Sequence, residues 1–520
     1  MIASRASETE PLLRAEDSAQ HDTEEGALQP SNNGKRQLGL VTAAFLVFKS
    51  IFATPSVILR ASGSVGMSLV MWVMGAAVAA CGTAVYLELG TGLPHSGGEK
   101  IYLEYIFRRP KFLASCIYAM YAIFIGWEAA SVTVFGEYVL HAIDPTRTYI
   151  SISPRVVSLL GITFAFLVHG IRVHWGVRIQ NTLATFKLFV LVGMAVAGLA
   201  VFAGVKKLET PPRNFEWSTM WNGTLSGGTN AFAAGIYNVI WSFIGYSNAN
   251  YALSEVRNPV RTIKLAVPLA MILVTLMYFL VNIAYYSVVD KDDILNSGRI
   301  TAALFFGKLW GIDAERLVSA IIACSTIGNV LAVLFTHARV VQELGKEGLV
   351  PFSSFFATSK PFNSPVGGLF TQWLVNSIII LAVPSGDAYS FMLNMSSYAY
   401  SLINMCVSAG LLLLHTPLMK KYEWSPPYRA NHLATWFFFL SNVFLVVGPL
   451  IPPSAGFKLY EELPYWLHVL AACSISVVGF AYWFVRFRWL PARGRYQLVQ
   501  ERTVDADGTT KNTIRKVLLD

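Results

Sequence analysis

Long apolar stretches separated by short polar segments run through the chain from about residue 38 to residue 488. A helix that spans a bilayer needs about 20 predominantly apolar residues. On this criterion the pattern predicts twelve transmembrane helices, near residues 38–60, 66–92, 112–140, 155–172, 177–204, 229–254, 264–289, 313–342, 366–384, 388–416, 434–453 and 465–487. We therefore expect an all-α, polytopic membrane protein whose two termini lie on the same side of the membrane.

Polar tails flank the apolar block. Residues 1–37 contain no apolar core, so we expect a disordered N-tail and no cleavable signal peptide, and residues 489–520 form a C-tail. Lys and Arg are more than twice as frequent on the tails and the even-numbered connections as on the odd-numbered connections. The positive-inside rule therefore places both termini in the cytosol. The expected location is the plasma membrane, with a vacuolar or endosomal membrane as the alternative.

Composition supports this class of protein and excludes others. Hydrophobic residues make up 54% of the chain and charged residues 14%, whereas soluble domains carry roughly 25% charged residues. The net charge of +9 follows the membrane topology, so we expect no nucleic-acid partner. The sequence contains no phosphate-binding loop, zinc-ligand spacing or paired carboxylates outside the membrane, so we expect no enzyme, cofactor or metal site.

Two of the predicted helices carry interruptions. The first contains residues 51–56 (IFATPS), where Pro55 disfavours helical geometry at Thr54. The sixth contains residues 241–248 (WSFIGYSN), where Gly245 and the polar residues after it loosen the helix. A broken helix persists in a bilayer only where it is buried in protein or lines a cavity. Two breaks at corresponding places in two halves of a chain indicate a transport site.

Such a pair of breaks suits an amino acid. The helix that begins at a break presents N–H groups and the positive end of its dipole to a carboxylate, and the helix that ends at a break presents carbonyl oxygens to an ammonium group. The pattern therefore predicts a receptor for a zwitterionic amino acid that is built largely of backbone. The alternative is a pair of helices that are simply kinked.

Four segments carry a resemblance to a known family: residues 51–66 (IFATPSVILRASGSVG), 90–99 (GTGLPHSGGE), 241–259 (WSFIGYSNANYALSEVRNP) and 345–351 (GKEGLVP). Through them the chain resembles the amino acid–polyamine–organocation transporters, and within these the L-type branch and its fungal methionine-permease-like members. The resemblance covers about residues 38–488. It implies alternating access and a five-plus-five inverted repeat, about 38–204 and 229–416, with discontinuous helices 1 and 6 and two further helices.

The resemblance also implies site residues. The carbonyls of Trp241 and Ile244 would meet the substrate ammonium, and Trp241 would match the gating aromatic of the family, with helix packing as its alternative role. The full predicted substrate site comprises Lys49, Ser50, Ile51, Ala53, Thr54, Trp241, Phe243 and Ile244. The family pattern has Gly-x-Gly directly before residue 51, where this chain has Phe48-Lys49-Ser50. This departure motivates a different hypothesis, a non-transporting amino acid sensor or an inactive paralogue.

Ionisable residues inside predicted helices suggest a coupling mechanism. Lys187 lies midway along helix 5 and Glu128 in helix 3, and intramembrane charges are functional candidates by default. The resemblance implies that the Lys187 ammonium occupies the space where sodium-coupled relatives hold an ion. Glu128 is a candidate proton acceptor. The alternatives are a structural tether for Lys187 and a neutral, hydrogen-bonded acid for Glu128. Glu88 and Glu104, nearer the helix ends, are expected to serve a gate or a loop.

Together these features predict a secondary active transporter of neutral L-amino acids, methionine or another large neutral one, that uses proton symport. Amino acid exchange is the rival mode. The expected partners are the amino acid substrate, the proton and the lipid bilayer. Many L-type relatives attach a heavy chain through a cysteine in the second external connection, but residues 141–154 contain none, so we expect no disulfide-linked heavy chain. Asn222-Gly223-Thr224 falls in the third external connection as a candidate glycosylation site at Asn222.

Overall fold

The computed structural model of the chain describes residues 52, 54–94, 97–146, 151–208, 210–248, 250, 259–360, 362–417, 419, 423–504 and 510–518. Within these ranges only the backbone is described at residues 174, 177, 180, 181, 184–188, 248, 259, 500, 502–504 and 510–512. The N-tail and the predicted site residues Lys49, Ser50, Ile51 and Ala53 therefore lie outside the described residues. The side chain of Lys187 does so as well.

Helices account for most of the described chain. The first ten are α1 (Pro55–Ser62), α2 (Val65–Gly92), α3 (Glu99–Ile106), α4 (Leu113–Phe124), α5 (Ala129–Ile143), α6 (Pro154–Ile171), α7 (Val173–Phe202), α8 (Trp217–Met220), α9 (Gly228–Phe243) and α10 (Gly245–Asn248). The others are α11 (Pro259–Val288), α12 (Lys291–Asn296), α13 (Thr301–Trp310), α14 (Ile312–Glu347), α15 (Ser353–Ala357), α16 (Val366–Ala382), α17 (Ala388–Leu414), α18 (His432–Val447), α19 (Leu467–Phe484) and α20 (Leu490–Gly494). A 3₁₀ turn at Gly448–Leu450 follows α18, and a π-helical turn at Val485–Trp489 joins α19 to α20.

Eight helical segments in the described part of the chain are long and apolar enough to cross a membrane: Val65–Gly92, Leu113–Ile143, Pro154–Ile171, Val260–Val288, Ile312–Glu347, Ala388–Leu414, His432–Leu450 and Leu467–Gly494. Two shorter apolar helices, Phe189–Phe202 and Val366–Ala382, accompany them. The third predicted helix corresponds to two helices, α4 and α5, which are separated by residues 125–128. The chain is therefore a predominantly helical, multi-pass membrane protein.

The C-tail contains two strands that the sequence analysis did not assign. β1 (Tyr496–Val504) and β2 (Thr510–Leu518) pair antiparallel, with Tyr496 opposite Leu518. A lone two-stranded hairpin is marginally stable in water. Here β2 packs against α14, and Ile514 joins the apolar cluster at the end of that helix. The hairpin thus depends on a tertiary contact that a local sequence pattern does not reveal.

Close helix packing places α9 at the centre of the bundle. It contacts α1, α2 and α17, and glycines permit the approach. A Cβ atom at Gly75 of α2 would lie 2.3 Å from Cγ1 of Val239. On the same side Trp72, Phe243 and Tyr278 form a buried aromatic cluster with ring centroids 5.4–5.9 Å apart. The end of α9 is therefore surrounded by protein on several sides.

Candidate substrate site

The first described helix begins inside the protein. Thr54 precedes α1 and its carbonyl accepts the first helical hydrogen bond from the N–H of Ile58, at 2.9 Å. Pro55 occupies the first position of the helix, and Thr54, Pro55 and Ser56 are all buried. The N–H groups of a first turn have no partner within their own helix. The positive end of α1 is therefore located in the interior.

Helix α9 also ends inside the protein. Its last residue is Phe243, Ile244 forms a turn, and α10 resumes at Gly245. The Ile244 carbonyl accepts hydrogen bonds from the N–H of Ser247 at 3.4 Å and from its hydroxyl at 3.2 Å. Carbonyl oxygens at the end of a helix carry the negative end of its dipole. A negative helix end is thus buried at the interruption.

The start of α1 and the end of α9 lie at about the same depth. The two helices run antiparallel, because the N–H of Leu225, just before α9, donates to the carbonyl of Ser62 at the end of α1. A Cβ atom at Gly235 would lie 3.0 Å from Cβ of Ala61, so these two positions are level. Thr54 lies as many residues before Ala61 as Ser242 lies after Gly235. Each of these two ends is therefore about 10 Å along its helix from the level of Ala61 and Gly235. The opposite ends of two helix dipoles therefore meet at one level.

A cavity lies beside this end of α9. Its walls come from α2, α9, α10, α17 and α18 and from the turn at Ile244: Val78, Tyr237, Ile240, Trp241, Ile244, Tyr246, Ser397, Tyr400, Ser401, Asn404, Phe438 and Asn442. Aromatic and aliphatic groups predominate, with a few hydroxyls and amides among them. Ligand sites in proteins commonly have this composition.

The structure places the predicted site residues in different surroundings. Trp241 and Ile244 both line the cavity. Phe243 packs instead into the aromatic cluster with Trp72 and Tyr278. Thr54 is buried at the start of α1. Trp241 and Ile244 therefore share the cavity, whereas Thr54 lies at the start of α1 and Phe243 packs elsewhere.

Glu128 occupies the gap between α4 and α5 and not the middle of a helix. It directly precedes α5, where its N–H donates to Oδ1 of Asn376 on α16 at 3.1 Å, and it is 1% exposed. Residues 125–128 pack closely against α16, because a Cβ atom at Gly126 would lie 2.7 Å from Cδ1 of Ile379. Glu128 is therefore a buried acid at the junction of α4 and α5.

Several cavity residues were missed by the sequence analysis. Ser397, Tyr400, Ser401 and Asn404 line one face of α17. Their spacing is the i, i+3, i+4, i+7 pattern of a single helix face. Polar groups repeated at that spacing in an apolar helix are the signal that could have revealed them.

Ion pairs connect helices at both ends of the bundle. At one end Arg299 pairs with Glu137 and donates to the Gly386 carbonyl at 2.9 Å, while Tyr138 donates to the Arg299 carbonyl at 3.0 Å. At the other end Lys100 on α3 meets Glu347 on α14 at 2.6 Å and Glu104 at 3.1 Å. Burial lowers the pKa of Lys100, but the two carboxylates outweigh burial and raise that pKa above its usual value. Lys100 therefore stays charged in its pair.

Comparison with known proteins relates this architecture to transporters. Residues 38–473 match the family model described as amino acid permease. The chain is 41% identical to the high-affinity methionine permease of Saccharomyces cerevisiae over 492 residues, which cover 94% of this chain and 85% of that protein. It is 30% identical to the low-affinity methionine permease of the same yeast, covering 91% and 86%. The b(0,+)-type amino acid transporter 1 of Rattus norvegicus is 27% identical, covering 93% and 94%.

Proposed function

The chain belongs to the amino acid permease family, a family of transporters and not of enzymes, and we propose that it is a secondary active transporter of neutral L-amino acids, methionine foremost. The observation that carries this proposal is that two opposite helix ends, those of α1 and α9, lie at one depth in the interior, with a cavity beside the end of α9. The 41% identity to a methionine permease supports methionine as the substrate to test first.

The two helix ends suit the backbone of an amino acid. The substrate carboxylate would accept hydrogen bonds from the first-turn N–H groups of α1, and its ammonium would donate to carbonyls near Trp241 and Ile244. Each helix end carries roughly half an elementary charge, so one positive and one negative end match a zwitterion without a charged side chain. The preference for neutral over cationic or anionic amino acids would come from the cavity, whose lining includes no Lys, Arg, Asp or Glu among the described residues.

The cavity would hold the substrate side chain. Aromatic rings of Tyr237, Trp241 and Phe438 line it together with aliphatic groups. A thioether is flexible and polarizable and makes favourable contacts with aromatic rings. This lining suits methionine and other large neutral side chains and gives a small side chain such as that of alanine fewer contacts. The free space in this conformation is about that of one water molecule, so the walls must move apart when a substrate side chain enters.

Competition binding with purified protein tests the recognition of the backbone. Radiolabelled methionine would be displaced by unlabelled methionine, by its methyl ester, which lacks the carboxylate charge, and by its decarboxylated amine. Much weaker displacement by both analogues supports the two helix ends as the receptor. Displacement by either analogue as effective as by methionine would refute it. Alanine serves as the control for the side-chain cavity and is expected to compete more weakly than methionine.

The membrane topology belongs to the same proposal. The proposed topology has twelve helices in an inverted repeat and both termini in the cytosol. The ion pair of Arg299 and Glu137 would then lie on the external side (the Arg299 cluster), and the ion pairs of Lys100 with Glu347 and Glu104 on the cytosolic side (the Lys100 cluster). Alternating access would open these two clusters in turn. The eight candidate spans and two shorter apolar helices in the described chain support this arrangement.

Asn222 is exposed and would then face outward as a glycosylation site. A mobility shift on glycosidase treatment that Asn222→Gln fails to abolish would contradict it.

We propose that transport is coupled to protons through Lys187 and Glu128. Lys187 lies on α7, and Glu128 is a buried acid at the start of α5. A desolvated lysine can release its proton within the physiological range, so that the side chain could alternate between charged and neutral forms during a cycle. The mode that competes with this one is amino acid exchange.

Replacement of Lys187 by methionine is expected to abolish the stimulation of methionine uptake by an inward proton gradient, because the side chain that titrates is removed while its length is kept. The measurement is uptake into liposomes at several pH values. Lys206→Met is the matched control, since Lys206 caps the Leu309 carbonyl near the end of α7 and should leave the pH profile unchanged. An unaltered pH profile in Lys187→Met would rule out the coupling role.

A sensor or an inactive paralogue is the second candidate. The observation that favours it is Phe48-Lys49-Ser50 in place of Gly-x-Gly, since a lysine carried into the site costs several kcal/mol unless it is paired. A folded protein that binds methionine and never moves it across a membrane would establish this alternative.

A further inference from the structure

A second buried acid lies close to the cavity. Glu99 is the first residue of α3 and is 1% exposed. Gly97 and Gly98 precede it with φ angles of +136° and +53°, which side chains rarely adopt. This glycine pair makes the sharp turn that directs α3, and with it Glu99, into the protein.

Glu99 is joined to the cavity by a short chain of hydrogen bonds. The Tyr86 hydroxyl on α2 lies 2.9 Å from Oε1 of Glu99 and 2.7 Å from Oδ1 of Asn404 on α17. Asn404 lines the cavity beside Trp241. Both Tyr86 and Glu99 are fully buried, so water does not compete for these contacts. Three groups thus connect the buried acid with the cavity wall.

Counting hydrogens in this chain links the form of Glu99 to the orientation of the Asn404 amide. Two hydrogen bonds among three oxygen atoms need two hydrogens, and the Tyr86 hydroxyl supplies only one. With Oδ1 of Asn404 facing Tyr86, the second hydrogen comes from the carboxylic acid of Glu99. In that form Glu99 donates to Tyr86, and Tyr86 donates to Asn404. If Glu99 is ionised, Tyr86 donates to Glu99, and the Asn404 amide must turn so that Nδ2 donates to Tyr86.

We propose that Glu99 is a protonation site of the transport cycle and that, through Tyr86, its proton sets the orientation of the Asn404 amide in the cavity. The inference rests on the proposed proton coupling and assigns a further residue to it. A protonated Glu99 leaves the Asn404 N–H groups directed to the Tyr246 hydroxyl, which also lines the cavity, whereas an ionised Glu99 turns the carbonyl oxygen towards Tyr246. Substrate affinity and proton affinity are then linked, and the linkage is reciprocal.

Tyrosine side chains from four helices surround Glu99. Among the described residues, the titratable side chains that face it are Tyr86 from α2, Tyr102 from its own helix, Tyr246 from α10 and Tyr400 from α17. The neighbouring Lys100 directs its ammonium to Glu347 and Glu104 instead. Tyr246 and Tyr400 themselves line the cavity, so a charge on Glu99 acts directly on its walls.

Glu99→Gln tests the proposal in the purified full-length protein. The glutamine amide donates to Tyr86 as the protonated acid does, so the variant should fold and bind methionine in one fixed form. In the wild type, one linked proton changes methionine affinity by up to about tenfold per pH unit. In Glu99→Gln and in Tyr86→Phe this pH dependence should become clearly weaker, and only the part that Lys187 and Glu128 contribute should remain. Tyr102→Phe is the matched control, because its equally buried hydroxyl has no hydrogen-bond partner among the described residues and its loss should leave the pH dependence intact.

Infrared difference spectra give an independent measurement. The wild type and Tyr86→Phe should both show the C=O band of a protonated carboxyl group that Glu99→Gln lacks. Methionine binding that keeps its full pH dependence in Glu99→Gln would overturn the role of Glu99 while leaving coupling through Lys187 and Glu128 in place. A wild type without any pH dependence would overturn the inference and the proposed coupling together.

Discussion

Replacement of Glu88 by alanine is expected to lower the free energy of unfolding by about 3–5 kcal/mol. Glu88 on α2 is 0% exposed, and Oε1 accepts hydrogen bonds from Nε2 of His415 at 2.7 Å and Nε1 of Trp424 at 2.9 Å. Oε2 accepts one from the N–H of Ala430 at 2.8 Å. The carboxylate therefore fastens the segment between α17 and α18 to α2, and its removal leaves three donors without their acceptor.

Thermal unfolding of the detergent-solubilised protein measures this effect. Glu343→Ala is the matched control, because Glu343 is half exposed and pairs with no residue but Lys346 in the described part of the chain. Exposed ion pairs contribute at most about 1 kcal/mol, so the control should unfold close to the wild type. A Glu88→Ala variant that unfolds at the temperature of this control would show that the buried carboxylate does not hold the segment.

Replacement of Trp241 by alanine is expected to weaken methionine binding by roughly 30- to 150-fold, or about 2–3 kcal/mol. Trp241 lines the cavity and belongs to the last turn of α9, next to the interruption at Ile244. In the proposed site it would therefore offer an aromatic surface to the substrate side chain at the level of the two helix ends. Truncation removes that surface and opens the cavity to water.

Equilibrium binding of radiolabelled methionine provides the measurement, and two variants complete the design. Trp241→Phe keeps an aromatic ring and should recover most of the affinity. Trp436→Ala removes a tryptophan of α18 that is half exposed and lies outside the cavity lining, so it should bind as the wild type does. Wild-type affinity in Trp241→Ala would exclude Trp241 from the substrate site.

The sequence was sufficient to predict the membrane class, the family and the positions of most helices, because bilayer thickness imposes long apolar runs that are visible without structural information. The gap at residues 125–128 escaped the analysis because it depends on Asn376 of a distant helix bonding to the Glu128 backbone. The C-terminal hairpin was not predicted for a similar reason, since β2 packs against α14. Long-range partners of this kind leave no local pattern.

The candidate site was predictable in part. The family resemblance implies Trp241 and Ile244 as site residues beside the interruption in the sixth helix, and the structure places both on one cavity. Phe243 has the same local signal and still packs away from the cavity, because neighbouring positions on a helix face different directions. The sequence did not reveal that Glu88 contacts His415, or that Tyr86 connects Glu99 with Asn404, because these partners lie hundreds of residues apart.

Uptake of radiolabelled methionine by the purified protein in liposomes, with and without an inward proton gradient, tests the central claim most directly. Methionine is expected to accumulate in the liposomes when the gradient is imposed, and only to equilibrate slowly without it. The absence of uptake by folded protein that still binds methionine would contradict a transporter and favour a sensor. Uptake that requires an internal amino acid and ignores the gradient would instead establish an exchanger.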